Sequence, residues 1–484
     1  MDILRRYKRD DRGTVLVFVA MCLVVILGLA ALTFDLGRLA ATQTDLQSYA
    51  DNVALSAAGE LDGASDAITR ASAAAENMIR DSQTFADGAQ ALGAAHDYSL
   101  RFLTGLPDDD TASLAPYVTT DPTEAALVEV TATPRRVFLP FSRAMATLAG
   151  LTAPNESVNA VAVAGFSQWA CDITPLMFCV PSDYEADAHI GDTIQLRSGG
   201  SGAAWGPGDF GFLDPSKIKV DPNGPCAGLN GVNLDACLIA ASGNVTQCFA
   251  QRGVDTEPGQ KAGIENAIFN TRFDMFTGIM TGKRSNPHYA PGPHVIKGLV
   301  PQGGGSCAGT NANPSPDTVP FPPDDCFAAG TCPTGSGRIG NGTWAGGRAT
   351  YVATNYGAGN DPAPQARTRY QLYLSEIGKA AGGDILTGRA ETGRPACSTA
   401  PMIEDPDRRV FVAAGIDCDA NPINGAETHV PVKEFFKIFL LQPVGNSTVS
   451  PPVFDLWVEV VGSAGGAGSS VDNGYFRDVV VLYR

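Results

Sequence analysis

The chain has 484 residues, with 34 Lys and Arg against 51 Asp and Glu, for a formal net charge of −17. Residues 1–13 hold five basic and three acidic side chains, so the other 29 basic and 48 acidic residues leave −19 on the rest. That bulk charge repels phosphates, so neither nucleic acid nor an anionic membrane surface is an expected partner of the bulk. Gly 54 and Pro 33 are high and concentrate after about residue 195, which predicts a loop-rich distal half.

Thr14 to Phe34 is a run of twenty-one residues without charge or proline. As a helix it spans about 31 Å, the thickness of a bilayer's hydrocarbon core. Arg5, Arg6, Lys8, Arg9 and Arg12 precede it. Basic flanks stay in the cytoplasm, which sets the N-terminus inside and the bulk outside. The run exceeds a signal h-region, so a retained anchor is expected.

The helical pattern continues past Phe34. Leu36, Leu39, Gln43, Leu46, Ala50, Val53 and Ala57 recur at three- and four-residue spacing. Asp35, Arg38, Thr42, Asp45 and Asp51 fall on the other faces, and Gly59 with Asp62-Gly63 closes the element. One rod of about 45 residues therefore starts in the membrane and leaves it as an amphipathic stalk. Its candidate packing face is Leu36, Leu39, Leu46, Ala50, Val53 and Ala57. The small seam residues Ala50, Ala54, Ala57 and Ala58 allow close approach, either of the chain's own next domain or of a partner helix.

A second helix is expected over 64–78. Strands are expected at Tyr98–Leu103, Ala126–Ala132 and Val158–Ala164, with a helix over Leu139–Ala149 that tolerates Pro140 in its first turn. From Trp169 turn dipeptides accumulate, with helices expected near 228–241, 258–270 and 365–380. The segment 301–347 reads as a long irregular loop. Arg409–Ala414, Phe435–Leu441, Val453–Val461 and Arg477–Tyr483 read as strands, and the last of them is expected to tuck into a sheet.

Cys22 lies in the apolar run. The other ten cysteines are Cys171, Cys179, Cys226, Cys237, Cys248, Cys307, Cys326, Cys332, Cys397 and Cys418. All lie beyond the run, none forms C-x-x-C, and they read as disulfides in an oxidising compartment. Spacing does not fix the pairing, and Cys171–Cys179 and Cys397–Cys418 are possible close pairs. The fold class is α+β: a transmembrane helix (14–34) after a cytoplasmic basic segment (1–13), a helical stalk (35–80) and a small α+β module (95–168). A loop-rich, disulfide-stapled mixed domain (169–484) ends the chain in β-strands.

Motifs for chemistry are sparse. GIMTGKR at Gly278–Arg284 is one residue short of a phosphate loop. GSGRIG at Gly335–Gly340 lacks a preceding strand. Of five histidines, His288 and His294 share a Pro/Gly loop and could meet at a metal, but surface positions are the expectation for all. Asp108-Asp109-Asp110, Asp324-Asp325 and Glu404-Asp405 read as solvated turns. No cofactor, metal, catalytic residue or small-molecule substrate is inferred.

Arg12-Gly13 before the apolar run, then Phe34-Asp35-Leu36-Gly37-Arg38, Leu46-Gln47, Ala50-Asp51 and Ala54-Leu55 resemble the N-terminal segment of TadG-like proteins. These belong to the Tad machinery that assembles bacterial Flp pili. Cys171-Asp172-Ile173-Thr174-Pro175-Leu176 is similar to the family as well. The resemblance implies an inner-membrane, mainly periplasmic, non-enzymatic pilus-assembly or anchoring protein. Its implied partners are the lipid bilayer and other pilus-assembly proteins, including TadE-like or TadF-like pseudopilins. The D-x-S-x-S start of a von Willebrand A metal site fails at Asp97-Tyr98-Ser99 and Asp214-Pro215-Ser216, so no such site is expected. Processed pseudopilins are cut after a glycine and carry glutamate five residues on. Gly13 is present but Phe18 stands at that fifth place. A minor pilin-like subunit cut at Gly13 is the alternative reading, and a membrane-tethered binding protein or enzyme using 169–484 is a third.

Overall fold

A computed structural model describes residues 14–483, except 79, 89, 94–95, 108, 110, 149, 153–155, 172, 199–204, 215–219, 243–247, 251–252, 258–264, 304, 306, 310–311, 334–335, 381–382, 404, 425, 446–453 and 467–475. Two compact units result, Met1–Ser167 with Val479–Arg484, and Gln168–Asp478.

In the first unit one helix, α1 (Thr14–Ala58), runs unbroken for 45 residues. The large apolar side chains of its first half, Val15 to Phe34, are 40–76 % exposed. Its second half is core. Leu46, Tyr49, Ala50, Val53, Ala54, Ala57 and Ala58 are fully buried in one cluster with Ala71 and Ala75 of α2 (Ala67–Met78). Strands β1 (Tyr98–Leu103), β2 (Leu127–Ala132), then helix α3 (Pro140–Leu148) and strand β3 (Val161–Cys171) follow.

β1 pairs antiparallel with β2, from Tyr98↔Ala132 to Leu103↔Leu127. β2 pairs antiparallel with β3, from Leu127↔Gly165 to Thr131↔Val161. The period-two pattern explains the two faces. Val128, Val130, Ala132, Ala162 and Ala164 meet α1, while Leu127 and Val163 join Leu103 and Leu114 on the other side. Alanines on both helix and sheet let the backbones approach closely. The C-terminal strand, Phe476–Leu482, also pairs with β3, and the Tyr483 N–H donates to the Val163 carbonyl at 2.8 Å. A Cβ on Gly165 would lie 2.9 Å from the Tyr483 ring, so this crossing needs glycine.

On the candidate face, Leu46, Ala50, Val53 and Ala57 pack against the chain's own α2 and sheet. Two expectations for α1 change. Leu36 stands outside that face at 52 % exposure, and Leu39 is half-buried. Asp35 and Thr42 are buried rather than solvent-facing, at 3 % and 0 % exposure.

The second unit is organised by β4 (Leu176–Cys179), β5 (Thr193–Ser198), β6 (Asp209–Leu213), β7 (Val410–Ile416), β8 (Glu434–Leu440) and β9 (Asp455–Gly466). Hydrogen bonding runs β6–β4–β7–β8–β9–β5, and a short parallel pairing of Asp209↔Arg197 and Phe210↔Ser198 closes the ring. Successive residues feed different clusters: Phe411 and Ala413 join the largest core, while Val412, Ala414 and Ile416 join another. Helices Gly231–Ala240 and Glu265–Asn270 pack in the largest core. Of the helix expected at 258–270, residues 258–264 lie outside the described residues.

Cys179 pairs with Cys418, Cys226 with Cys237, Cys307 with Cys397, and Cys326 with Cys332. The close pairs Cys171–Cys179 and Cys397–Cys418 are therefore incorrect. Register is the reason: β4 runs parallel to β7 with Cys179 opposite Ile416, which brings Cys418 across a sequence separation of 239. Cys171 is disulfide-bonded, and Cys248 stands opposite it in the strand register.

Asp324 is not in a solvated turn. It is 1 % exposed and accepts from Thr193 N–H (3.1 Å), Thr193 Oγ1 (3.0 Å), and the Asn341 and Gly342 N–H groups (2.9 Å each). Arg369, fully buried, bridges it at 2.7 Å to Glu459 at 3.0 Å. A Cβ on Gly340 would fall 2.0 Å from the Asp324 carboxylate, so that glycine of the GSGRIG segment admits an acidic side chain rather than a phosphate. Asp325 accepts from Gly346 and Gly347 N–H, each at 2.9 Å, and so caps the helix Ala345–Asn355.

Tyr49 tests the packing of α1. Burial first, and the Asp97 charge second, push its hydroxyl up to about 12 from 10.0. Burial disfavours the phenolate, so the fold keeps its full stability below about pH 10 and loses some of it as pH rises toward 12. The hydroxyl has no partner among the described residues. Tyr49→Phe should therefore raise stability at neutral pH by about 1 kcal/mol and flatten the alkaline loss. Hydrogen exchange of β2 and β3 amides at neutral and alkaline pH reads both effects.

Candidate functional site at the end of the apolar run

Phe34 to Arg38 build the point where the exposed half of α1 becomes the buried half. A helix starting Leu139-Pro140-Phe141-Ser142 has no Ser, Thr, Asp or Asn at its own N-cap position, yet its first N–H groups need acceptors. Asp35 supplies them. Its Oδ2 accepts from the Ser142 N–H and hydroxyl, each at 2.6 Å, and its Oδ1 accepts from the Phe141 N–H at 3.4 Å. The carboxylate also meets the positive end of the α3 dipole. Pro140, lacking an N–H, suits this first turn.

One turn on, the Arg38 guanidinium lies 5.7, 5.1 and 5.9 Å from the ring centres of Phe34, Phe85 and Phe138. It donates to the Phe138 carbonyl at 3.3 Å. Phe34 and Phe141 meet edge to face at 5.8 Å. Farther along, Gln83 Nε2 donates to the Thr42 carbonyl at 3.2 Å, Gln43 Nε2 to the Asn159 carbonyl at 2.8 Å, and Gln47 Nε2 to the Val161 carbonyl at 3.0 Å. The polar residues of the stalk thus fasten α1 to α3 and to the approach to β3. This is the chemistry of a joint: a carboxylate, a guanidinium and amides held by main-chain groups. Leu36 and Gly37 point away from it, and a Cβ added to Gly37 meets nothing within 4 Å.

The second unit holds a cleft of about 280 Å³ lined by Asp274, Lys297, Leu299, Glu391, Thr392 and Arg394, among others. Its charges are engaged. Asp274 accepts from the N–H groups of Ala396, Cys397 and Ser398 at 2.5–2.7 Å. Glu391 accepts from Lys297 N–H, Gly298 N–H and Thr318 Oγ1, and bridges Lys297 Nζ at 3.2 Å. Burial raises the proton affinity of Asp192 and Glu459, but neither lines the cleft.

His294 departs from the surface expectation. It is fully buried, with Nε2 2.5 Å from Glu376 Oε2, whose other oxygen accepts from Tyr351 and Tyr356. His288 is exposed and its ring contacts the Ser242 carbonyl at 3.1 Å. Among the described residues, no group of three or more His, Cys, Asp or Glu is placed to hold a metal ion. Asp97, the first candidate for a von Willebrand A motif, pairs with Arg135 and accepts from the Gly93 N–H at 3.0 Å.

Residues 13–60 match the protein-family model Tad, described as putative Flp pilus-assembly TadE/G-like. The matched segment is α1 and the turn after it, and so contains the whole Phe34–Arg38 joint. No curated protein and no solved structure matches the chain.

Asp35→Ala should remove the cap on α3 at a cost of about 1–2 kcal/mol. Amide exchange in Phe141–Leu148 should quicken while that in β2 stays slow. Asp35→Asn, which keeps one acceptor oxygen, should fall between the two.

Proposed function

We propose that this chain is a single-pass, structural component of a bacterial Flp/Tad-type pilus machine. Its N-terminus is cytoplasmic, α1 crosses the inner membrane, and both folded units lie in the periplasm. It acts without catalysis, as an assembly or anchoring factor. The observation that carries this reading is the match of residues 13–60 to a TadE/G-like family model over a helix built as an anchor. That helix is long and apolar enough to cross a bilayer, and its window of highest hydropathy has no buried residues. The basic segment before it supports the orientation, and the disulfides beyond it support an oxidising compartment.

The buried seam is not free to bind partners. The outward stripe of α1 is, and it includes Leu36, Ala40, Thr44 and Ser48. Other pilus-assembly proteins, TadE-like or TadF-like pseudopilins among them, are the proposed partners. Gln43 and Gln47 are poor probes because their amides are bonded to the chain's own carbonyls. A photo-crosslinker at Thr44 or Ser48, activated in native membranes, should capture another Tad component. Adducts only with unrelated envelope proteins would contradict the reading. The same preparation yields the N-terminal sequence, and a mature chain starting at Thr14 would favour the minor pilin-like subunit instead.

A further inference from the structure

α3 carries an apolar stripe that its own unit leaves uncovered. Phe138, Phe141, Met145, Leu148 and Leu151 recur at three- and four-residue spacing, and they are 40, 42, 63, 84 and 69 % exposed. The opposite side of the element is in the core, with Leu139 at 3 % and Ala146 at 8 % exposure. Three of them, Phe141, Met145 and Leu148, stand on the nine-residue helix and Phe138 and Leu151 extend the row beyond its two ends, a contiguous apolar row unusual for a solvated surface.

Position identifies the occupant. The Asp35 carboxylate, the first charge after the apolar run, holds the first turn of α3 at 2.6 Å, and Phe34 touches Phe141. α3 is therefore fixed at the level where α1 leaves its apolar run, continuous with the surface that faces lipid. We propose that α3 lies in the membrane interface, with Phe138, Phe141, Met145 and Leu148 dipping into the headgroup–acyl boundary of the leaflet through which α1 emerges. Arg143 stacks 5.0 Å from the Phe138 ring and is paired with Asp87, and exposed Arg136 flanks the row and suits a phosphate headgroup. The acidic bulk of the chain does not oppose this, because the contact is local and apolar, and the Arg143–Asp87 pair at its rim carries no net charge.

This inference rests on α1 crossing the bilayer, and the test separates the two. The full chain is placed in vesicles of phosphatidylethanolamine and phosphatidylglycerol. A nitroxide is attached to the free Cys22 in one sample. In a Cys22→Ser background it is attached to Met145→Cys, Leu148→Cys or, as a solvent-exposed control on α1, Ser48→Cys. Collision with oxygen and with a water-soluble nickel chelate is then measured. Labels at 145 and 148 should meet oxygen more often, and nickel several-fold less often, than the label at 48. Nickel access equal to that at 48 overturns the inference, as does shielding from both relaxants, which would mean a protein cover. If those results appear while Cys22 stays oxygen-rich and nickel-poor, the membrane span stands and only the interfacial helix falls. Nickel access at Cys22 overturns both.

Discussion

Burial of one face of α1 is the constraint on which the first unit depends. Its two halves have opposite surroundings within one unbroken helix. The first offers its apolar side chains outward, and the second gives Leu46 to Ala58 to the core of an α+β unit. Because no break separates them, whatever surrounds the first half is mechanically linked to the sheet. Asp35 marks the change of regime and is itself structural: it leaves the apolar run and at once caps α3. A helix held at both its seam and its exit cannot swing freely about Phe34.

The same device recurs in the second unit. A chain rich in Gly and Pro forms many turns whose N–H groups find no partner in helix or sheet, and buried N–H groups left unpaired are costly. Carboxylates fill that need. Asp324, Asp325, Asp274, Glu391 and Glu459 each accept main-chain N–H groups from another part of the chain. Some of the acidic excess is therefore internal scaffolding rather than solvated surface. Arg369 answers two of these charges in the interior. Elsewhere the buried cation Arg409 is answered by aromatic faces and the carbonyls of Leu440 and Leu441, and burial lowers its proton affinity to about 10.

Elements with a strong period are legible in the sequence. The uncharged run and the three-and-four spacing up to Gly59 mark α1 to its last turn, and Pro140 before an amphipathic pattern marks α3. Strand β4, Leu-Met-Phe-Cys, shows no alternation because both its faces are buried, and four residues are too few to separate from loop. The helix Ala345–Asn355 opens with two glycines, which hide it from propensity, and Asp325 supplies the missing cap from outside. Asp324 reads as a turn acid because its partners lie 45 and 131 residues away. The joint at Asp35 is half legible: Leu139 in place of a capping residue signals a missing acceptor, but not which carboxylate supplies it.

The central claim is that the apolar run and the first folded unit form one continuous, rigid helix-borne body. Hydrogen exchange of the full chain in lipid nanodiscs tests it most directly. The account predicts that amides from Leu36 to Ala58 exchange as slowly as those of β2, with no rapid segment between the protected span and Leu46. A fast-exchanging break at Asp35–Arg38, with slow exchange on either side, would show a hinge where a joint is claimed and would contradict it.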